Sequence, residues 1–343
     1  MPLERPRSSL PIDLALQGGG SHGAFTWGVL DRLLEEPWLQ ILGISGTSAG
    51  AMNAAVLAAG WTEGGRQGAR AALDEFWKRV SRAAALSPLQ RTPYDRLMGR
   101  WTLDWSPAFI AMDLMSRVFS PYNLNPLGFN PLRDILAESI DFARLAHSPI
   151  KLFITATNVR TGRGRIFRNP EITPDVLLAS ACLPTMFQAI EIDGEPYWDG
   201  GYAGNPTISP LVRESEAFDI ILVQINPRER RDTPRSAGDI LDRLNEISFN
   251  APLMKELRMI ALLRQAADPG TGEGRRWSKM RTHRILTDKL AEFGASSKLN
   301  AEADFLHVLK DEGRKSADEF LKSHGEDIGK RSTADLDVLL SEC

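Results

Sequence analysis

Hydrophobic positions in the first half of the chain switch between short, nearly continuous runs and sets at helical spacing. Ile12 to Leu16 (IDLAL) and the run around Ile41, Leu42 and Ile44 are short, as expected of strands covered on both faces of a sheet. Between them Ala24, Phe25, Trp27, Val29, Leu30, Leu33 and Leu34 recur three and four residues apart until Pro37 stops the run, which predicts a helix. The Ala-rich stretch AMNAAVLAAG that follows Gly50 predicts a second one. The succession is β-α-β-α, and its natural geometry is a parallel sheet flanked by helices.

Farther on, Gly64 to Val80 reads as a helix with Leu73, Phe76, Trp77 and Val80 on one face, Pro131 to Ala146 as another, and Ile150 to Ala156 as a third strand. A short helix over 174–181 and a buried strand at Phe218 to Ile225 (FDIILVQI) follow. The stretch 83–129 has few strand signals and is rich in Pro, Trp, Met and Phe, so it is expected as an insertion over the sheet. Its apolar set (Trp101, Trp105, Phe109, Ile110, Met112, Leu114, Met115, Val118, Phe119) suits an acyl-chain pocket or a lid meeting a lipid surface, with ordinary core packing as the alternative. Beyond about 230 the sequence turns charged, with amphipathic helices over 235–267 and 299–326 and a candidate strand at His283 to Thr287. The expected organisation is a tail (1–11), an α/β domain (12–230) and a mainly helical C-terminal extension (231–343).

Composition narrows the function classes. The 343 residues carry a net charge of −3, which argues against a nucleic-acid binder dominated by phosphate contacts. Two cysteines, Cys182 and Cys343, form neither a disulfide framework nor a metal-ligand pattern. No metal or cofactor is implied. The start MPLERPRSSLPI lacks an apolar signal core, and no apolar stretch approaches the ~20 residues that span a bilayer. The expected location is the cytoplasm, with peripheral membrane contact open. Oligomeric state is not legible. Arg160, Arg163, Arg165 and Arg168 lie within nine residues and suit either a phosphate head group or a solvated hairpin.

Chemistry concentrates at Gly46-Thr47-Ser48-Ala49-Gly50, between a predicted strand and a predicted helix. There Gly-x-Ser-x-Gly forms a nucleophile elbow, a sharp turn that presents the serine hydroxyl at a helix N-terminus. An ordinary Gly/Ser turn is the plain alternative. A serine acting in acyl transfer needs a base and oxyanion donors. Gly18-Gly19-Gly20 and Gly23, between the first strand and helix, offer unobstructed backbone N–H groups. Read alone, this loop also suits a phosphate, but it lacks the Lys-Ser/Thr ending of a P-loop and an acidic ribose partner downstream. For the base, an α/β-hydrolase order would pair Asp199 with His283 or His307. The nucleophile, however, follows only two strands, and both histidines lie in charged sequence.

Three motifs in fixed order, GGGSHG at 18–23, GTSAG at 46–50 and DGG at 199–201, resemble the patatin-like phospholipase family, as does the run ASACLPTMF at 179–187. The resemblance covers about 12–225. It implies a three-layer α/β/α fold with a mostly parallel sheet and hydrolysis of lipid acyl esters by a Ser48–Asp199 dyad. The oxyanion hole would come from Gly18, Gly19, Gly20 and Gly23, with Gly46, Gly50, Gly200 and Gly201 shaping the turns. His22 departs from the family, where many members carry Arg or Lys, so a neutral imidazole would leave the loop less positive. A free aspartate has a pKa near ~3.9, far below that of a serine hydroxyl, so direct proton transfer is steeply uphill. Desolvation beside Trp198 and apolar neighbours would raise it, and the oxyanion donors must carry much of the rate. The alternatives retained are a thioesterase or short-chain esterase with the same dyad, and a non-catalytic module binding an anion or lipid.

Overall fold

The computed structural model describes residues 8–336 apart from 228, 231 and 271. Residues 1–7 of the expected tail and Cys343 lie outside the described residues. Strand β1 (Leu10–Leu16) leads through the glycine loop into helix α1 (Gly23–Leu33), and β2 (Leu39–Gly46) leads through the elbow into α2 (Ala49–Ala85). Helix α2 is two helices joined at a kink, because Gly64 and Gly65 both leave helical geometry. The helix expected from Gly64 is its second limb.

The insertion carries short helices α3 (Pro93–Leu97), α4 (Pro107–Val118) and α5 (Pro121–Leu124), each opened by a proline at its first turn. The single helix expected over 131–146 is instead a pair, α6 (Leu132–Ser139) and α7 (Phe142–Leu145). Ile140 is extended, and the Asp141 side chain caps the second helix by accepting from the Arg144 N–H at 3.0 Å. There follow β3 (Lys151–Asn158), β4 (Gly164–Arg168), α8 (Pro174–Ser180), β5 (Ile190–Ile192), β6 (Glu195–Asp199), α9 (Ser209–Glu214) and β7 (Asp219–Val223). The remainder forms α10 (Ala237–Ala266), α11 (Gly272–Lys279), β8 (Arg281–Ile285) and α12 (Ala303–His324).

All eight strands join one sheet with hydrogen-bonded order β5-β6-β3-β2-β1-β7-β8, and β4 also pairs with β3. The pairs among β3, β2, β1, β7 and β8 are parallel, while β4 and β6 run antiparallel to β3 and β5 antiparallel to β6. Successive residues of β1 serve opposite faces. Ile12, Leu14 and Leu16 join the larger core with residues of α1, α2, α8 and α12, whereas Ala15 joins a second core with Leu253 and Ile260 of α10 and Trp277 of α11. The result is the three-layer α/β/α arrangement with a mostly parallel central sheet.

The segment beyond 230 is integral to this sheet. Its strand β8 pairs in parallel with β7, and α12 packs along α1, where Gly28 and Gly313 let the two backbones approach. The strand begins two residues before the expected His283 start.

The four arginines decorate the β3–β4 hairpin, and three are matched by carboxylates: Arg160 with Glu195, Arg165 with Glu171 and Asp193, and Arg168 with Glu214. In the insertion Leu103 is buried and Trp101 stacks on Phe305, with ring centres 5.1 Å apart. Helix α4 has no buried residue, and Trp105, Ile110, Leu114, Met115, Val118 and Phe119 are exposed. Among the described residues no helix is long and apolar enough to cross a membrane.

Candidate active site

The pairing around β3 accounts for the meeting of elbow and aspartate. Ile154 pairs with Gly46 of β2 and Phe167 of β4, and Ala156 pairs with Arg165 of β4 and Asp199 of β6. A strand has two edges, so β2 and β6 follow one another along the edge opposite β4. Where β2 turns away into the elbow, β6 takes over, and Asp199 arrives beside the turn.

Ser48 sits at that turn with φ 54° and ψ −123°, a sparsely populated conformation for a non-glycine residue that costs about 1–3 kcal/mol and persists only where its surroundings hold it. The Ser48 N–H donates to Ser180 Oγ at 2.9 Å, and that hydroxyl donates to the Thr155 carbonyl at 2.7 Å. Thr47 Oγ1 donates to the Gly204 carbonyl at 2.6 Å. Gly50 is obligatory, because a side chain there would overlap the Leu16 carbonyl at the end of β1. Gly46 faces the Gly50 carbonyl with similarly little room, while Gly200 lies against the Thr155 carbonyl and Gly201 against the Phe249 ring.

Asp199 is 1% exposed, and its Oδ1 accepts from the Gly201 N–H at 2.7 Å. Burial pushes this carboxyl up to about 7, against lowering contributions from the Gly201 N–H and the Ser48 hydroxyl. Asp199 is therefore desolvated beside the Ser48 turn. Burial, with the nearby Asp199 charge, also pushes the Cys182 thiol up to about 12, so Cys182 is no rival nucleophile at neutral pH.

The glycine loop divides by role. Gly18 is pressed against the elbow, since a Cβ there would lie 2.7 Å from the Ser48 Cβ. Its N–H, expected as an oxyanion donor, donates instead to Asn205 Oδ1 at 2.7 Å. The Gly23 N–H is likewise engaged, by the Gly20 and Ser21 carbonyls, and Gly23 leaves room for Ala49 to close on it. Among the described residues the Gly19 N–H has no hydrogen-bond partner, and Gly20, at φ 59°, opens the following turn.

No histidine hydrogen-bonds Ser48 or Asp199 among the described residues. His283 Nε2 lies 3.0 Å from Asp219 Oδ1, and its Nδ1 faces Thr333. His307 stacks edge-on against Trp27. The triad order considered from sequence therefore has no matching geometry. His22 is buried with Nε2 2.8 Å from Ser297 Oγ, and burial, with Lys298 nearby, pushes it down to about 3. It is neutral at physiological pH. Among the described residues no cluster suits a metal ion.

Four residues around the site were not signalled by any motif role: Ser180, Asn205, Asn226 and Lys298. Ser180 lies in the ASACLPTMF run; the other three carry no local pattern. The insertion bridges the site's flanks. Gln188 Nε2 donates to the Asn125 carbonyl at 2.6 Å on one side, and on the other Ser296 donates to Asp104 and Arg91 pairs with Glu302. Beneath it lies a cleft of about 1980 Å³, lined in part by Phe109, Ile110, Leu114, Thr185, Leu241 and Glu246. Ser48 and Asp199 are not among its lining residues.

A mostly parallel sheet with helices on both faces, carrying a tight serine turn beside a glycine-rich loop, defines a three-layer α/β protein. The chain belongs to the patatin-like phospholipase family, whose sequence model matches residues 14–212. Among solved structures it is similar to VipD from Legionella pneumophila, at 15% identity over 93% of this chain and 67% of that one, with a TM-score of 0.41. It is also similar to ExoU, solved with SpcU from the type III secretion system of Pseudomonas aeruginosa, at 16% identity over 91% of this chain and 53% of that one, with a TM-score of 0.27. The chain thus spans between half and two thirds of the length of these two structures. Comparison with curated protein sequences gives no significant match.

Proposed function

We propose that this protein is a lipid acyl hydrolase working through an acyl-enzyme, with Ser48 as nucleophile and Asp199 as its base. The observation that carries the reading is the strained Ser48 turn held beside a buried Asp199 whose carboxyl ionises near neutrality. Asp199 takes the Ser48 proton as Oγ attacks the ester carbonyl, and the oxyanion forms against the Gly19 and Gly20 N–H groups. As the tetrahedral intermediate collapses, Asp199 returns the proton to the leaving alcohol. A water molecule, deprotonated by Asp199, then attacks the acyl-enzyme and releases the fatty acid and free Ser48. A base near 7 narrows the gap to the serine hydroxyl by about 4 kcal/mol relative to an ordinary aspartate.

The exposed apolar face of α4 supports long acyl chains presented at a lipid surface over short soluble esters. Fluorophosphonate labelling and a p-nitrophenyl ester series of rising chain length test the reading. Wild type is labelled, and Ser48→Ala is neither labelled nor active while remaining folded. Turnover by Ser48→Ala at the wild-type rate would place the nucleophile elsewhere. A preference for acetate or thioesters would redirect the substrate class and leave the dyad standing.

A further inference from the structure

The Gly18–Gly19 peptide is held from its far side by a relay that ends in the amine of Lys298. Asn226 Nδ2 donates to the Gly18 carbonyl at 2.7 Å, and Lys298 Nζ donates to Asn226 Oδ1 at 2.8 Å. The Gly18 carbonyl only accepts, so the Asn226 amide presents Nδ2 to the loop and Oδ1 to Lys298. The Asn226 backbone is itself pinned, its N–H donating to Gln17 Oε1 at 2.8 Å. In a planar trans peptide the carbonyl and the next N–H point in opposite directions. A donor on the Gly18 carbonyl therefore sets the direction of the Gly19 N–H. It also polarises that N–H.

We propose that Asn226 and Lys298 are positioning residues for the oxyanion hole, with Lys298 holding the Asn226 amide in place from the C-terminal segment. This rests on the Ser48 acyl-enzyme reading and on Gly19 as an oxyanion donor. The segment carrying Lys298, a 3-10 turn over Ala295–Leu299, lies directly on the loop, since a side chain at Gly20 would overlap the Lys298 carbonyl. Burial lowers the Lys298 pKa against the raising effect of Glu246 and Asp242. Glu246 is itself paired with Arg230 at 2.5 Å and with Arg243 at 3.2 Å, which leaves the Lys298 amine to Asn226. The Gly18 N–H is clamped by Asn205, so the peptide preceding the one on which the relay acts is fixed as well.

The test measures kcat and KM on a soluble ester, and the second-order rate of fluorophosphonate inactivation, for Lys298→Met, Lys298→Arg, Asn226→Leu and the Lys298→Met/Asn226→Leu pair. Thermal melts and Ser48→Ala accompany them. Loss of polarisation and alignment of one oxyanion donor predicts a fall of about 10–100-fold in kcat and in inactivation rate with KM within about twofold. Lys298→Arg should retain at least a third of the rate. The double variant should be no slower than Asn226→Leu, because Lys298 acts through Asn226. A folded Lys298→Met with unchanged kcat, a loss confined to KM, or losses that multiply in the double variant would overturn the relay. If Asn226→Leu fails to fold, Asn226→Asp takes its place, because a carboxylate repels the Gly18 carbonyl and must lose the same alignment. Activity persisting in Ser48→Ala would instead overturn the underlying mechanism, so the two failures are separable.

Discussion

Replacing Asp199 by asparagine separates what the buried carboxyl does for catalysis from what it costs the fold. The group is 1% exposed and is pushed by burial from an ordinary 3.8 to about 7. Disfavouring the ionised form to that extent corresponds to about 4 kcal/mol. Because the folded carboxyl holds its proton more tightly than the unfolded one, stability is undiminished below 3.8 and falls as pH rises from there to about 7, levelling off above. Asparagine carries no charge at any pH and keeps an oxygen for the Gly201 N–H. Asp199→Asn should therefore be more stable than wild type at pH 8, by up to about 4 kcal/mol, or about 5 °C in Tm for a chain of this size. The two should melt together near pH 4.

Circular-dichroism melts at pH 4 and pH 8, with ester hydrolysis at each pH, provide the measurement. Asp13, also pushed up to about 7 by burial, is common to both proteins and cancels in the difference. The same variant should lose at least about 10³-fold in kcat, and wild-type kcat/KM should rise with pH through about 7. An Asp199→Asn protein less stable than wild type at pH 8, or a stability difference that does not shrink in acid, would refute the claim that this carboxyl is desolvated at a cost. Retained activity would remove it from the mechanism.

Gly50→Ala, which drives a methyl into the Leu16 carbonyl, should lower Tm and abolish fluorophosphonate labelling; normal labelling would show that the elbow tolerates a wider turn. In the insertion, Phe109→Ala and Leu114→Asp should reduce hydrolysis of long-chain esters in vesicles at least about fivefold more than hydrolysis of acetate esters. Equal losses would assign these side chains to packing alone. At the opposite end of the sheet, burial alone would raise Asp219, but hydrogen bonds from His283, Arg281 and Gly329 bring it down to about 2. Its stabilisation is then present above 3.8 and lost as pH falls toward about 2. Asp219→Asn should cost about 2 kcal/mol or more in urea unfolding at pH 7, and a deficit of the same size at pH 2 would contradict this assignment.

The parts of the site that could be read from the sequence are those whose geometry is local. A strand, a five-residue turn and a helix are contiguous at Gly46 to Gly50, and the requirement for glycine there is set by atoms a few residues away or at the end of the neighbouring strand. The role of Asp199 came only through the resemblance carried by the DGG motif, because its meeting with Ser48 is made by the pairing of β6 with β3 and not by neighbours in sequence. The clamps were not legible. Asn205, Asn226 and Ser180 act through hydrogen bonds to residues 187, 208 and 132 positions away, and a single amide or hydroxyl has no periodicity to betray it. Nor does a glycine-rich loop reveal which of its N–H groups the fold has already engaged, which is why Gly18 and Gly23 read as donors. Strand β8 was blurred because its sequence, RTHRI, is polar. Arg281 and His283 face Asp219, and a strand that carries ion pairs loses the apolar signature of its neighbours.

The distribution of these clamps changes what the segment beyond 230 means for the site. The family match ends at residue 212, yet the peptide lying against Ser48 is held by Asn226 and, through it, by Lys298. The same segment supplies the edge strand β8, and its residues Ser296 and Glu302 anchor the insertion that roofs the cleft. Alignment of the glycine loop and placement of the apolar roof thus depend on one stretch of chain, Ala295–Glu302, that contains none of the three motifs. A shift of that stretch would move the insertion and loosen the Gly18–Gly19 peptide together, because Glu302, Ser296 and Lys298 sit within seven residues of one another. Under the proposed mechanism such a displacement would change rate and access to substrate together, whereas Ser48 and Asp199, fixed by β2, β3 and β6, would stay in place.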